Sequence, residues 1–433
     1  MMETTMNKWI IIYLMVVCLF FTSKGYSQSE AFFLGHAAGV GGRALSMGSA
    51  YLAISDDYSA TLWNPAGLTQ LRRMELFGSI SHMEYLNEAG YAGISNIDKS
   101  TKTKPNSIGF AFPVPTYRGS LVLAVGYNVV RDFEEGFSFS YYIDSLGVQQ
   151  DYIELEEGGM QNWVFSGAME VTQNLSLGAA LNLWRGNDDY HFNLYDQDVR
   201  NDYYYNNYTY DQQITTKFQG LNFKIGALYR FMRFFRFAAT ISTPFTLNAK
   251  EDWQESMNQV EDEDSPSENY EEVVGGSWDY GLKHPFVFSG GAVFTLLPNI
   301  VLSGDVEYTD WSQTRYTTEP PVGDKFYENL RLRELRPSKT FRLGGEFTVP
   351  LINLQLRAGA IRQESPLKNA TEKDDRTYVT VGAGLLLDKQ VKFDVALLHG
   401  WWERDGSYIS DDLPAVSEKI TLDKIFGTIS IRF

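Results

Sequence analysis

Cysteine is nearly absent from this 433-residue chain: the one instance, Cys18, lies in the first apolar run. That content excludes a disulfide framework and any site built from paired thiolates. A run long enough for a membrane-crossing helix is also missing. The longest apolar stretch, Trp9 to Phe21, falls short of the roughly 20 residues that a spanning helix needs. Charged residues make up 21% of the chain and mean hydropathy is −0.25, so a helical membrane bundle is excluded. Positive charge is in deficit, with 37 Lys and Arg against 54 Asp and Glu and a net charge of −17. Nucleic acid is therefore not an expected partner, because its phosphates would be repelled. No His-Glu-x-x-His, Gly-x-Ser-x-Gly or cysteine pair occurs, and His36, His82, His191, His284 and His399 are scattered. The sequence thus carries no constellation for an enzyme, a metal or a cofactor.

What is present begins with an export signal. Lys8 precedes the apolar run, and the polar stretch Thr22 to Gln28 follows it. A charged start, a short apolar core and a small-residue exit read as a secretory signal peptide over residues 1–27, cleaved near Ser27–Gln28. Val17 stands before Cys18 where a lipoprotein signal has a small residue, so no lipid anchor is expected. Loss of this leader removes Glu3, Lys8 and Lys24 and leaves a net charge of about −18.

From residue 73 onward one theme repeats. In 221–229 the odd positions are Leu221, Phe223, Ile225, Ala227 and Tyr229, with Asn222, Lys224 and Gly226 between them. In 299–308, Ile300, Leu302, Val306 and Tyr308 oppose Ser303, Asp305 and Glu307. A period of two places each set on one face of a strand. The pattern predicts strands at 73–83, 106–115, 120–131, 161–172, 174–186, 214–230, 234–250, 284–297, 299–311, 338–349, 352–363, 376–387, 391–402 and 424–433. Short turns between them alternate with long polar connections at 84–105, 132–160, 187–213, 251–283, 312–337, 364–375 and 403–423. Short turns on one side and long loops on the other are the plan of an even-stranded membrane barrel. Its lumen stays polar, which reconciles a soluble-looking hydropathy with the 15% aromatic content that interfacial girdles require. The expected fold is all-β: a 14-stranded antiparallel transmembrane β-barrel over 73–433, in the outer membrane. A last strand of alternating character ending in Phe433 matches the signal read by barrel-assembly machinery. Outer-membrane lipids and lipopolysaccharide are then expected neighbours, with a divalent-cation contact as one reading of the acidic segment 251–283.

Residues 28–72 break the theme. Gly39, Gly41, Gly42 and Gly48 crowd the start, Ala44 to Ala53 reads as a short helix, and Ser55 or Asp56 can cap a second through Leu62. Pro65 ends it. A small helical leader before a barrel fits inside the lumen, as a hatch.

Residues 42–68, with Asn64-Pro65-Ala66, resemble the amino-terminal hatch of the FadL/TodX family of outer-membrane transporters for hydrophobic compounds. Val306 to Ser312 and Leu356 to Pro366 are similar to later segments of that family, in the same order. The resemblance implies a lumen blocked by the hatch, passive uptake of hydrophobic small molecules such as long-chain fatty acids, and a sideways exit beside a kinked third strand. Gly126, central in the third predicted strand, is the kink candidate, since glycine weakens a strand. Asn64, Pro65 and Ala66 either shape the end of a helix or position the hatch against the exit. Phe32 and Phe33 are candidates for an apolar pocket. Charges on the inward faces, Lys224, Arg342 and Arg357 among them, either tie the plug to the wall or meet a ligand carboxylate. Some barrels similar to this family act as shuttles in type IX-like secretion, so a non-transporting partner protein is the alternative function.

Overall fold

Fourteen antiparallel strands close on themselves in the computed structural model, which describes residues 39–433 apart from 92, 145, 263–268, 322, 389 and 407–415. The predicted signal peptide, Phe32 and Phe33 lie outside the described residues. The strands are β1 (Glu75–Tyr91), β2 (Ile94–Val114), β3 (Leu121–Asp132 and Glu135–Ile143), β4 (Val148–Glu170), β5 (Leu175–Asp198) and β6 (Tyr205–Phe231). Next come β7 (Phe235–Ser242 and Phe245–Glu261), β8 (Tyr270–His284 and Val287–Leu297), β9 (Ile300–Asp310) and β10 (Pro337–Val349). β11 (Leu354–Gln363), β12 (Arg376–Leu387), β13 (Val391–Gly406) and β14 (Val416–Arg432) complete the wall. Each pairs with its sequence neighbours, and β14 returns to β1 with Glu75 opposite Arg432, so the sheet has no free edge in the membrane. No helix among the described residues is long and apolar enough to cross a membrane.

The alternation sets the sides. Leu221, Phe223, Ile225, Leu302, Val306 and Tyr308 are exposed on the outer surface, while Asn222, Ser303 and Asp305 are buried toward the lumen. Lipid takes the apolar set at no cost, whereas a charge there would cost a few kcal/mol near the midplane. The polar connections turn out differently from the sequence expectation. Most of 84–105, 148–160, 187–198, 205–213, 251–261 and 270–283 is strand. The ladder carries these polar segments on above the membrane, because antiparallel pairing satisfies backbone groups whether or not a side chain is apolar. β9 to β12 stay short, so one side of the barrel is tall and the other low.

Inside lie two short helices, α1 (Gly42–Ser46) and α2 (Ala60–Trp63), then a 3-10 segment, Pro65–Gln70. Helix α1 is shorter than the Ala44 to Ala53 expectation. The second helix does end before Pro65, with Asn64 extended as a residue preceding proline must be. Pro65 also opens the 3-10 segment, where its missing N–H is no loss, and the Asn64 side chain caps it by accepting from Ala66 N at 3.1 Å.

Candidate functional site

The hatch is held by close backbone approach and by buried charge. Wall glycines make the approach possible. A Cβ on Gly109 or Gly126 would fall 2.0 Å from the Tyr58 side chain, and one on Gly226 would fall 2.1 Å from Asn64 Oδ1. Gly126 is therefore a seat for the Tyr58 ring, and it lies in regular pairing opposite Gly109 and Val164. The break in β3 is seven residues further on, at Phe133–Glu134, between its two halves. There β4 supplies the flexibility: Gly158 has φ +140°, a conformation open to glycine, and its carbonyl accepts from Phe133 N at 3.2 Å.

Charge does the rest of the holding. Arg43 of α1 donates two bonds of 2.9 Å to Glu346 and pairs with Asp56. Arg357 reaches Glu346 at 2.6 Å and Asp394 at 2.7 Å, and Lys392 stands 3.4 Å from Asp394. Arg432 joins Glu75 at 2.6 Å, and Glu75 accepts from Tyr58 N at 3.0 Å. Asp305 accepts from Leu52 N at 2.9 Å. Arg342 sits 5.7 Å from the Trp63 ring and 3.4 Å from Glu307. The inward Arg342 and Arg357 thus belong to the lock between plug and wall. Asn64, Pro65 and Ala66 are buried in it too, with Asn64 Nδ2 donating at 3.1 Å to Leu52 O and to Ala227 O on the wall.

Above the hatch, against β5 to β9, lies a cavity of about 100 Å³. Its floor is Leu62 of α2; Trp184, Phe245 and Trp311 give it aromatic walls. Phe245 stacks on Trp184 with centroids 6.1 Å apart and on His284 at 5.1 Å. Lys224 lines it, donating to Leu62 O at 2.5 Å, and Glu307 and Arg131 supply further charge. Of the three candidate ligand cations, only Lys224 is at the cavity. The space is below the roughly 150 Å³ that admits benzene in an engineered apolar cavity, so a ligand in it has to be slender or has to displace side chains.

A chain of amides runs from the cavity toward the β3 break. Asn128 Nδ2 donates to Asn162 Oδ1 at 3.0 Å, Asn162 to Asn182 at 3.0 Å, and Asn182 to Asn222 at 3.1 Å. Trp184 Nε1 also donates to Asn222 Oδ1, at 2.9 Å, and Tyr58 of the hatch donates to Asn128 at 3.4 Å. Four adjacent strands, β3 to β6, each give one residue. These asparagines were not singled out from the sequence. Their inward parity was readable, but their alignment depends on the stagger between strands.

Near the break the backbone ladder between β2 and β3 stops. β2 and β3 are paired from Val114↔Leu121 up to Ser107↔Asn128. Beyond that, β2 pairs only with β1, and the upper half of β3 only with β4. Side chains bridge the seam instead: Lys104 to Asp132 at 2.5 Å and Lys102 to Glu134 at 3.5 Å, with Lys102 also reaching Glu157 of β4 at 3.3 Å and Lys424 of β14 reaching Asp132 at 2.8 Å. Higher up, Asn96 donates to Ser138 O and Oγ at 3.0 Å. No group of three or more metal-ligating side chains occurs among the described residues.

A plugged, fourteen-stranded barrel with an interrupted wall strand defines an outer-membrane transport barrel. The chain belongs to the family described as outer membrane protein transport protein (OMPP1/FadL/TodX), whose model matches residues 22–412. Among solved structures it is similar to the toluene transporter TodX of P. putida, with TM-score 0.66 and 12% identity over 92% of this chain and 99% of that one. A Pseudomonas aeruginosa FadL homologue matches with TM-score 0.59 and 14% identity, covering 92% and 97%. The Ralstonia pickettii toluene transporter TbuX matches with TM-score 0.57 and 14% identity, covering 92% and 99%. At such identities the likeness is one of fold. Nothing among curated proteins matches the chain.

Phe433 faces outward at the end of β14, 6.5 Å from the Phe110 ring, and exchanges backbone bonds with Met74. That position is compatible with the assembly signal expected from the sequence.

Proposed function

We propose that this protein admits slender hydrophobic molecules, long-chain fatty acids or monoaromatic hydrocarbons, by passive diffusion into the cavity above the hatch and sideways out through the β2–β3 seam. The observation that carries this reading is the continuity of cavity, asparagine chain and seam along one side of the lumen. Arg131 lines the cavity and precedes by one residue the Asp132 that latches the seam. Structurally similar proteins include a toluene transporter and a monoaromatic hydrocarbon channel, which supports the aromatic arm. Lys224 supports the fatty-acid arm, as an ammonium at the cavity floor suits a carboxylate. Asn64, Pro65 and Ala66 hold the floor, and the hatch stays in place while the seam yields.

The test is uptake of labelled oleate and labelled toluene. A deletion strain is compared with strains re-expressing the wild type or the Asn64→Ala, Pro65→Ala double variant, with barrel abundance checked in each. Uptake is expected to fall on deletion, to return with the wild type and to stay low with the variant. Unchanged uptake of both probes, with secreted cargo accumulating in the periplasm, would instead establish the secretion-shuttle role.

A further inference from the structure

On the low side of the barrel lies a groove of about 700 Å³ that adjoins the cavity above the hatch, sharing Lys283 and Thr314 with it, and stands apart from the seam. One wall is formed where two neighbouring strands break at the same level, at Pro244 in β7 and at Pro285–Phe286 in β8. The other is the segment after β9, including the Arg315–Tyr316 bridge to β8 and helix α3 (Lys325–Leu332). Asn329 ties these together, accepting from Tyr316 N at 2.7 Å and donating to Tyr316 O at 3.2 Å.

Three features define what the groove can hold. The first is charge. Lys283, Arg315, Lys325 and Arg333 line it and no carboxylate does, on a chain whose net charge is −17. Among the described residues, no ion pair to any of these four is recorded, and Lys325 Nζ spends one donor on Thr317 O at 2.6 Å. Glu319, whose carboxylate accepts from Lys325 N at 3.2 Å, is the acidic neighbour and lies outside the lining. The second feature is depth. β9 spans Ile300–Asp310 and the lower half of β8 spans Val287–Leu297, lengths that match one tilted membrane crossing of about 9–11 residues. The groove starts where both end, at the outer headgroup level. The third is what surrounds it. Phe286 and Phe288 are exposed just below, stacked at 5.7 Å, and Phe326, Tyr327 and Leu330 of α3 are exposed beside it. Aromatic side chains under a ring of cations are the signature of a membrane interface.

From these we infer that the groove is a binding site for the phosphate-bearing headgroup of an outer-leaflet lipid. The guanidinium groups of Arg315 and Arg333 can each grip a phosphate through two N–H donors, and Lys283 and Lys325 add point charges. The acyl chains would lie along Phe286 and Phe288. Of its four cations only Lys283 also lines the cavity above the hatch; Arg315, Lys325 and Arg333 do not.

The test uses the full mature chain, purified in a neutral detergent and titrated with diphosphoryl lipid A, its dephosphorylated form, inorganic phosphate or oleate. Retained adducts are counted by native mass spectrometry. The expected result is one tightly retained diphosphoryl lipid A. Retention should weaken at least about tenfold in the Lys283→Gln, Arg315→Gln, Lys325→Gln, Arg333→Gln variant, and by a similar factor when the phosphates are removed. A charge-keeping Lys283→Arg, Lys325→Arg variant should retain the lipid as the wild type does, which separates lost charge from lost fold. Equal retention by the Gln variant, equal retention of the dephosphorylated lipid, or displacement of the lipid by oleate at matching concentration each overturns the assignment. Inorganic phosphate should fail to compete, since it lacks the acyl chains; full competition by it would overturn the lipid claim as well.

Discussion

The hatch–wall contact and the β2–β3 seam are both interfaces inside one barrel, yet they are built from opposite materials. At the hatch, Arg43 and Glu346 are largely buried and joined by two bonds of 2.9 Å, and the wall glycines let the plug approach the wall closely. At the seam there is no backbone ladder, and Lys102, 42% exposed, holds Glu157, 64% exposed, at 3.3 Å. Buried pairs resist separation because an orphaned charge stays in a poor solvent. Exposed pairs are weak because water replaces the partner. The difference teaches that charge ties the plug to the wall away from water, whereas the seam is tied partly within reach of it.

The largest test of that contrast fixes the seam. Cysteines placed at Asn96 and Ser138 and joined by a short bifunctional thiol reagent would tie β2 to β3, and residues 28–433 hold no other cysteine. Ligand uptake should fall at least about tenfold, as gating motions set many transport and catalytic rates, and return when a cleavable linker is reduced. Full uptake through the bridged protein would rule the seam out as the exit.

Next in size is the lock on the hatch. Arg357→Ala leaves Glu346 with Arg43 alone and Asp394 with Lys392 alone, and the barrel should lose about 3 kcal/mol, read as an earlier heat-induced gel-mobility transition. If the Ala variant unfolds at the wild-type temperature, the network is not what holds the plug.

Smaller is the effect of Lys102→Gln with Lys104→Gln. Removing these cations leaves the buried carboxylates of Asp132 and Glu134 with fewer partners, which should cost about 1–3 kcal/mol and speed passage in low salt. Wild-type protein should behave similarly in high salt, where screening does the same work. A salt-independent uptake rate in the wild type would show that ion pairs do not latch the seam.

The smallest effect is one of pH, in the tall extracellular wall. Asp196, far up β5, is pushed up to about 6, first by burial and then by Asp151, against a bond from Gln150 of 2.7 Å. A carboxyl raised in the folded state binds its proton more tightly there than in the unfolded chain. Its stabilising contribution is therefore full below the ordinary carboxylate range and disappears as pH rises through about 6. The protection factors of amides in this part of β5 should fall between about pH 4 and 6, and Asp196→Asn should remove that fall. Identical profiles for the two proteins would show that this carboxyl does not titrate in that range.

How much of this was legible in the chain follows from the range of each interaction. The alternation of Leu302, Val306 and Tyr308 against Ser303 and Asp305 is local, and it gave the strands, their lipid faces and the barrel directly. The upper strand halves were hidden because polar residues such as those of 187–198 pair as well as apolar ones once a neighbour is alongside. Gly126 was noticeable as a strand glycine, but a strand of residues cannot say whether a missing side chain bends the wall or makes room for Tyr58. The cation groove was dispersed over Lys283, Arg315, Lys325 and Arg333, with no run of charge to mark it.

The sequence by itself thus determined which residues face lipid, which face the lumen, and that a small hatch precedes the wall, since each is decided by a residue and its nearest neighbours along the chain. Tertiary structure alone decided that Arg43 meets Glu346 across 303 residues, that four asparagines line up on four strands, and that pairing stops at Asn128. Those depend on the stagger of strands around a closed barrel, and closure is a property of the whole sheet, written in no single strand.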